Sequence, residues 1–541
     1  MKIGFVIKEA TSDYFYFVIN PKERDKITVG SLVKIIINDV PYYAIVEDIK
    51  SEAIEEDRLI NFEAIEIVYD KIGKKLFILR GKGIFIGCLR DNKVLPEKPK
   101  TPPLPGDDVL LAEYEEIKKI YSFETDYTIP FGKIFVSDKE YTVDLSIKNL
   151  IIRHTGIFGI TGSGKSTAVA NLVYELSKKN IPTLIFDIHR DYILSFQNPI
   201  IITFSERDRE YIESLLKERG KNGRVYTAKL DIKILNDYME ILGINRESMP
   251  HVANLLSELL SKARINTIFD LLKFLDERKN VENLIKNYGD KEIDRLANSL
   301  KSRIKKIYDW RLFPRDARDF GEDLRSLLDN LIRKITDMEG ILEGEIVRNG
   351  DEISIRRENT EYRNIIIIDL YPLSIEEQRI LIDILLERLY NKYKELKFEG
   401  KADILTIVIE EAHRFVSREA KDTSAKVSLI AREGRKFGLG IILVSQIPSS
   451  ILDSVISQLN TFILLKMINP RDLEFIKKTC PYLSKEYFEA LTKLETGKAL
   501  VVGLAPKNPA IVKIIKNVDV GGTEEDIERS IEKRVKLLRE N

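Results

Sequence analysis

The feature that most constrains this chain is Gly159-Ile-Thr-Gly-Ser-Gly-Lys-Ser166, which closes a short apolar run, Gly156–Ile160, and opens a stretch with helical spacing. It fits the phosphate-loop pattern G-x-x-x-x-G-K-[ST] in the strand-before, helix-after setting that gives the pattern its meaning. Gly159, Gly162 and Gly164 let the backbone turn its N–H groups inward around phosphates, where a Cβ would obstruct the approach. Lys165 is expected to reach the β- and γ-phosphates and Ser166 to ligate Mg²⁺, with the helix N-terminus adding a favourable dipole. Thr161, Ser163 and Thr167 complete the expected cradle, so ATP and Mg²⁺ are the implied cofactors.

Such a loop demands an acidic partner, and Leu405-Thr-Ile-Val-Ile-Glu-Glu411 offers one, an apolar strand ending in two carboxylates. Glu410 takes the place of the usual Mg²⁺-side aspartate, acting through a metal-bound water, and Glu411 is positioned to orient the attacking water. Downstream, Ala431-Arg-Glu-Gly-Arg-Lys-Phe-Gly438 leads into a strand ending Val444-Ser-Gln446. Gln446 stands where an amide can sense the γ-phosphate, and Arg435 or Arg432 can serve as an arginine finger supplied by a neighbouring subunit. The basic residues Arg414, Arg418, Lys421 and Lys426 follow the acidic pair, though a charge-rich helix is ordinarily a solvated face. Two other nucleotide signatures fail. Leu373-Ser-Ile-Glu-Glu-Gln-Arg379 lacks the Gly-Gly pair of an ABC signature and reads as a capping box, Ser374 with Glu377. Asn391-Lys-Tyr-Lys394 lacks the aspartate that reads guanine.

The rest of the chain can be apportioned around these motifs. Residues 1–95 alternate short β-branched and aromatic runs with turns: Lys2–Ile7, Tyr14–Ile19, Ser31–Ile37, Tyr42–Ile49, Ile60–Val68, Lys75–Leu79 and Gly83–Leu89. They predict a small antiparallel β-barrel. Residues 96–130 open on Pro96, Pro99, Pro102, Pro103 and Pro105 and read as a stiff linker. A hairpin is expected at Lys133–Val136 and Tyr141–Leu145 around Ser137–Asp138.

The nearly unbroken apolar runs Gly156–Ile160, Thr183–Ile188, Ile365–Leu370, Ile404–Ile409, Gly440–Val444, Phe462–Met467 and Ala499–Leu504 predict a parallel sheet covered on both faces. The fold class is therefore α/β, a RecA-like P-loop ATPase core in two parts, 131–204 and 351–520, split by a helical insertion at 205–350. The tail, 521–541, reads as an amphipathic helix with Ile527, Ile531, Val535 and Leu538 on one side.

Composition excludes more than it identifies. The 86 basic and 86 acidic residues cancel, so net charge argues neither for nor against nucleic acid, since a ring can confine its basic groups to a channel. Cys88 and Cys480 match no metal or redox spacing. No run approaches the roughly 18 apolar residues of a membrane span, and no secretory signal is legible, so a soluble, cytoplasmic protein without a membrane partner is expected. Heavy use of Lys, Glu and Ile fits a hot habitat.

Taken in order, these motifs resemble the HerA family of hexameric DNA translocases, relatives of FtsK and of the type IV secretion ATPases. The resemblance rests on Arg153-His154 before the P-loop strand, ITGSGKS, Phe186-Asp-Ile-His189, IEEAH over Ile409–His413, IAREGRKFG ending at Gly438, VSQ, and Gly497-Lys-Ala-Leu-Val. It implies a homohexamer that moves along duplex DNA by hydrolysing ATP between subunits, often with a NurA-type nuclease in DNA end resection and recombinational repair. By the same resemblance Arg435 is the trans finger and Arg153 a further phosphate-side arginine. Where the family commonly has D-x-H-G-E after the second strand, this chain reads Asp187-Ile-His-Arg-Asp191, with Arg190 in the place of the glycine. A packaging or transfer motor for conjugative or viral DNA, and a non-motor scaffold ATPase, are the alternative expectations.

Overall fold

The computed structural model describes residues 1–53, 77–90, 93–95, 97–123, 125–136, 139–229, 364–401, 403–481, 483 and 485–521, with discontinuous segments between 230 and 363. Two compact units divide the chain. One comprises Met1–Ala168, Gln446–Ser449 and Leu459–Ile515; the other comprises Val169–Ser445, Ser450–Gln458 and Lys516–Asn541.

The first unit begins with the barrel. Alternation in Tyr14–Ile19 (β2) points Phe15, Phe17 and Ile19 inward, where they meet Ile3 and Val6 of Lys2–Ala10 (β1). Leu32–Ile37 (β3) and Val40–Ala53 (β4) form a hairpin, and Phe77–Arg90 (β5) pairs with both β4 and β2. Lys93–Leu95 (β6) turns back along β5, and Asp108–Leu111 (β7) pairs with β1 and β3 to close the barrel.

Two expectations change here. From Phe77 onward, the runs Lys75–Leu79 and Gly83–Leu89 belong to one strand. Residues 80–82 separate the runs in sequence, but Gly81 and Gly83 stand opposite Phe17 and Phe15, whose rings occupy the space that a Cβ would need. The proline-rich stretch is a connection between β6 and β7 inside the barrel, because the closing strand and the helix Tyr114–Tyr121 both lie within 96–130. Ile60–Val68 lies outside the described residues.

Thr128–Val136 (β8) and Lys139–Ser146 (β9) form the expected hairpin, whose turn, Ser137–Asp138, is outside the described residues. The short helix Ile147–Ile152, capped by Ser146, leads to the fully buried strand Thr155–Phe158 (β10). The helix Lys165–Lys178 then carries the chain into the second unit.

That unit is built on parallel strands. Thr183–Asp187 (β11), Ile200–Thr203 (β12), Arg224–Lys229 (β13), Glu322–Asp323 (β14), Ile365–Asp369 (β17), Leu405–Ile409 (β18) and Leu439–Ser445 (β19) run in the order β14-β13-β12-β17-β11-β18-β19. Every residue of β11, β12, β17, β18 and β19 is buried, as continuous apolar runs require. The region 205–350 is only partly helical. It holds the helices Glu206–Glu218, Pro250–Lys262, Ile268–Asp276 and Asp290–Ile307, but also the sheet strand β13. The mixed sequence of β13, Arg-Val-Tyr-Thr-Ala-Lys, hides it from a search for apolar runs. The strands Glu345–Asn349 (β15) and Glu352–Arg356 (β16) form a separate hairpin.

Back in the first unit, Thr461–Leu464 (β20) lies parallel to β10, and Lys498–Gly503 (β21) and Ala510–Ile514 (β22) follow antiparallel, reaching β8 and β9. The run Ala499–Leu504 is thus antiparallel, not parallel as expected. Burial on both faces makes a strand continuously apolar whichever way it runs. Cys88 and Cys480 are buried free thiols. Among the described residues, no helix is long and apolar enough to cross a membrane. The tail after Gly521 lies outside the description.

Candidate active site

The phosphate loop follows β10 within the first unit. Gly162 and Gly164 adopt φ values of 73° and 104°, in the left-handed region that glycine enters without steric cost. At Gly159 a Cβ would come within 2.8 Å of both Leu465 Cβ and Ser163 Oγ. Segments flanking two other strands hold the loop in place. Ile160 N–H donates to Lys466 O at 3.0 Å, and Gly497 N–H donates to Ser163 O at 3.1 Å. Ser163 Oγ donates to Ile160 O at 2.6 Å, and Lys165 Nζ reaches the same carbonyl at 3.0 Å. The ammonium is therefore folded over the loop it would share with a polyphosphate, and the open backbone at Gly162 fits such a ligand. Ser166 and Thr167 open the following helix, half-buried.

Gln446 meets this loop at Thr161, whose Oγ1 donates to its Oε1 at 2.5 Å. Arg153 caps the helix before β10, and its carbonyl accepts the N–H of Asn460 at 3.0 Å while its side chain is exposed.

In the second unit, both carboxylates follow β18 and are almost wholly buried, Glu410 at 7% and Glu411 at 6% exposure. Glu411 lies at φ 45°, a conformation unusual for a residue with a Cβ. It starts a single turn, Ala412–Arg414, in which Arg414 N–H donates to Glu411 O at 2.8 Å. That turn presents His413, whose Nδ1 lies 3.2 Å from Glu411 Oε2 and 3.1 Å from Ser445 Oγ.

Glu410 accepts a hydrogen bond from the hydroxyl of Tyr192, a residue that motif reading passed over. Burial, reinforced by the Glu410 charge, pushes the Tyr192 phenol well above its ordinary range, so it stays a neutral donor. Tyr192 is placed by the turn after β11. Asp187 accepts the N–H groups of His189 at 3.2 Å, Asp191 at 3.1 Å and Tyr192 at 2.9 Å. Burial pushes the Asp187 carboxyl well up, against the pull of the Tyr192 N–H. The only sequence sign of this arrangement is Asp187 at a strand end, five residues before a tyrosine that could reach the next strand.

Arg190 departs from the family pattern, and its geometry explains how the departure is tolerated. Its φ is 63°, a left-handed conformation that suits glycine. The side chain offsets that strain. Its Nε and Nη2 donate to the two oxygens of buried Asp369 at 3.0 and 2.7 Å, and Nη2 donates to Asp208 at 2.8 Å. The Tyr371 ring lies 4.7 Å from the guanidinium, and Thr203 Oγ1 donates to Asp369 at 3.0 Å. Charge-assisted bonds from these carboxylates raise the guanidinium pKa despite its burial.

The segment Ala431–Gly438 ends the helix Lys421–Glu433 and turns into β19. Gly438, at φ 88°, packs so closely that a Cβ would overlap Asp403 O. Arg432 and Arg435 are both exposed, and Arg432 Nε donates to Ser428 O at 3.3 Å. Among the described residues no hydrogen bond or ion pair engages the Arg435 guanidinium. Lys426, by contrast, is paired with Glu387 at 2.6 Å.

Comparison with known proteins identifies the family of the chain. A family model for the central domain of helicase HerA matches residues 129–389, and one for the HerA-like C-terminal domain matches residues 357–519. The chain belongs to the HerA family. The DNA double-strand break repair helicase HerA of Sulfurisphaera tokodaii is 28% identical over 521 residues, 95% of this chain and 93% of that protein. A probable DNA double-strand break repair helicase HerA of Methanocaldococcus jannaschii is 29% identical over 452 residues, 80% of this chain and 84% of that one. Among solved structures, the unbound bacterial conjugative coupling protein TrwB aligns with a TM-score of 0.47 at 14% identity, over 75% of this chain and 92% of that one. This HerA-family chain is accordingly a P-loop ATP hydrolase of the helicase type.

Proposed function

We propose that this HerA-family protein is a homohexameric motor that translocates along duplex DNA, with each ATP site completed by the adjacent subunit. The loop from Gly159 to Thr167 binds the triphosphate, with Lys165 on the β- and γ-phosphates and Ser166 and Glu410 holding Mg²⁺. Mg²⁺ supplies charge neutralisation at the transferring phosphoryl group. Glu411 orients the water, Gln446 senses the γ-phosphate beside Thr161, and Arg153 adds positive charge. Arg435 acts in trans.

The observation that carries this reading is the exposed, unengaged Arg435 in a chain whose own carboxylates are buried and held by side chains of the same unit. An arginine that completes a neighbour's site must be free to leave its own surface. The DNA role is drawn from the two relatives compared above, both named as break-repair helicases, the second as a probable one. Work alongside a NurA-type nuclease in end resection, in the cytoplasm, is the cellular setting we assign.

ATPase rates with and without linear duplex DNA, in wild type and Glu411→Gln, test the motor. DNA is expected to stimulate the wild type, with an affinity that falls steeply with salt because phosphates are the contact. A hexamer that no DNA stimulates would overturn the proposal. Mixing Arg435→Ala with Glu411→Gln subunits tests the finger, since partial recovery of activity requires donation across an interface.

A further inference from the structure

Three lysines stand in one row of the first unit's sheet. Lys133 of β8 lies opposite Lys513 of β22, and Lys513 lies opposite Lys498 of β21. Their Cβ atoms therefore share one face at about 5 Å spacing, where like charges repel. Lys133 is offset by Glu140 at 2.7 Å and Lys498 by Glu495 at 3.0 Å, in exposed pairs that water weakens. Lys513 is exposed, and among the described residues no hydrogen bond or ion pair engages its ammonium.

The row borders a cavity of about 500 Å³ inside the first unit, a size within the roughly 300–1,000 Å³ of small-molecule sites. Most of its wall is apolar. The barrel strands β4 and β5 supply Ile45, Ile84 and Ile86, the sheet supplies Ile134 and Ile511, and the helix Lys485–Leu491 supplies Ala490.

Three polar residues, Glu47, Tyr121 and Tyr487, also line the cavity. Glu47 is paired with Lys82 at 2.7 Å, so its charge is already matched. Tyr487 Oη donates to Pro509 O at 3.5 Å. Tyr121 is 3% exposed, and among the described residues its hydroxyl has no hydrogen-bond partner. Burial pushes this phenol up, so it stays a neutral donor. A buried hydroxyl left unbonded costs free energy that an arriving ligand oxygen would offset.

We infer that this cavity binds an amphiphilic anion, a small molecule whose apolar body fills the chamber while its acidic head meets the row Lys133, Lys513 and Lys498. Charge and shape select that class. A cationic amphiphile would bring its charge against three ammoniums, and a nucleic acid backbone would match the lysines without filling the apolar wall. The site is distinct from the ATP site, since no lining residue belongs to the phosphate loop or the acidic pair.

Calorimetry of the full-length protein with decanoate, below its micelle concentration, tests the site. One decanoate per chain is expected, and decylammonium should bind at least about tenfold more weakly. Lys513→Glu is expected to weaken decanoate about tenfold and Lys513→Arg to leave it within about twofold. Ala490→Trp, which fills the chamber, is expected to abolish binding. The absence of saturable decanoate binding, equal affinity for decylammonium, or an affinity unchanged in Lys513→Glu or in folded Ala490→Trp would each overturn the inference. Should Ala490→Trp fail to fold, the two variants at exposed Lys513 decide alone.

Discussion

The phosphate loop and the two carboxylate-side turns, 187–192 and 410–414, solve the same backbone problem by opposite means. Each must bend the chain sharply just after a buried strand. The loop does so with glycines, Gly162 at φ 73° and Gly164 at 104°, which leave the backbone N–H groups open to a ligand. The other turns place Arg190 at 63° and Glu411 at 45°, residues whose side chains are then held by partners. A glycine turn is open to what comes from outside, whereas a turn made with long side chains is committed to its own neighbours. The first should therefore fail when a Cβ is added or a ligand group removed, and the second when a partner is lost.

The largest effect belongs to the glycine side. Lys165→Ala is expected to reduce kcat/KM for ATP by about 1000-fold, since it removes the cation folded over the loop. Gly164→Ala should approach that loss through backbone strain alone, and ATPase kinetics with analogue binding measure both. On the other side, Asp369→Ala leaves the buried Arg190 guanidinium without its two-point partner, and chemical denaturation should record about 3 kcal/mol of lost stability.

Smaller effects sharpen the contrast. Arg190→Gly and Arg190→Ala both lose the ion pair, but only glycine relieves the left-handed backbone, so the glycine variant should be the more stable by about 1 kcal/mol. Equal stabilities would mean that the side-chain network does not compensate a backbone cost. Last, Tyr192→Phe keeps the packing and removes a hydrogen bond to Glu410. About 1 kcal/mol is expected, read as a higher Mg²⁺ requirement for analogue binding with little change in melting temperature.

The same contrast explains which parts of the site were legible beforehand. Gly159 to Ser166 can be recognised residue by residue because a backbone cradle depends on the absence of side chains, and absence leaves a local pattern. Glu410 and Glu411 were legible as the end of an apolar strand. The support behind them was not. Tyr192 lies 218 positions from Glu410, and Arg190 lies 179 from Asp369. Nothing in the spacing of such residues announces that parallel strands bring their ends together.

The strand errors have a related origin. The interval around Gly81 separated two runs because its compensation, the ring of Phe17, comes from another strand. The run Ala499–Leu504 revealed its burial but not its direction. The strand β13 was lost because its ends are charged.

By itself, the sequence determined what local chemistry requires: the phosphate loop, the buried strands, the acidic pair and the barrel's alternation. These follow from the properties of a few adjacent residues. Only tertiary structure decided how a strained arginine is stabilised at position 190, which tyrosine secures the Glu410 carboxylate and which histidine lies beside Glu411. Each of those depends on the distance between groups that the chain itself keeps apart, or on a φ angle that only the surrounding packing can hold.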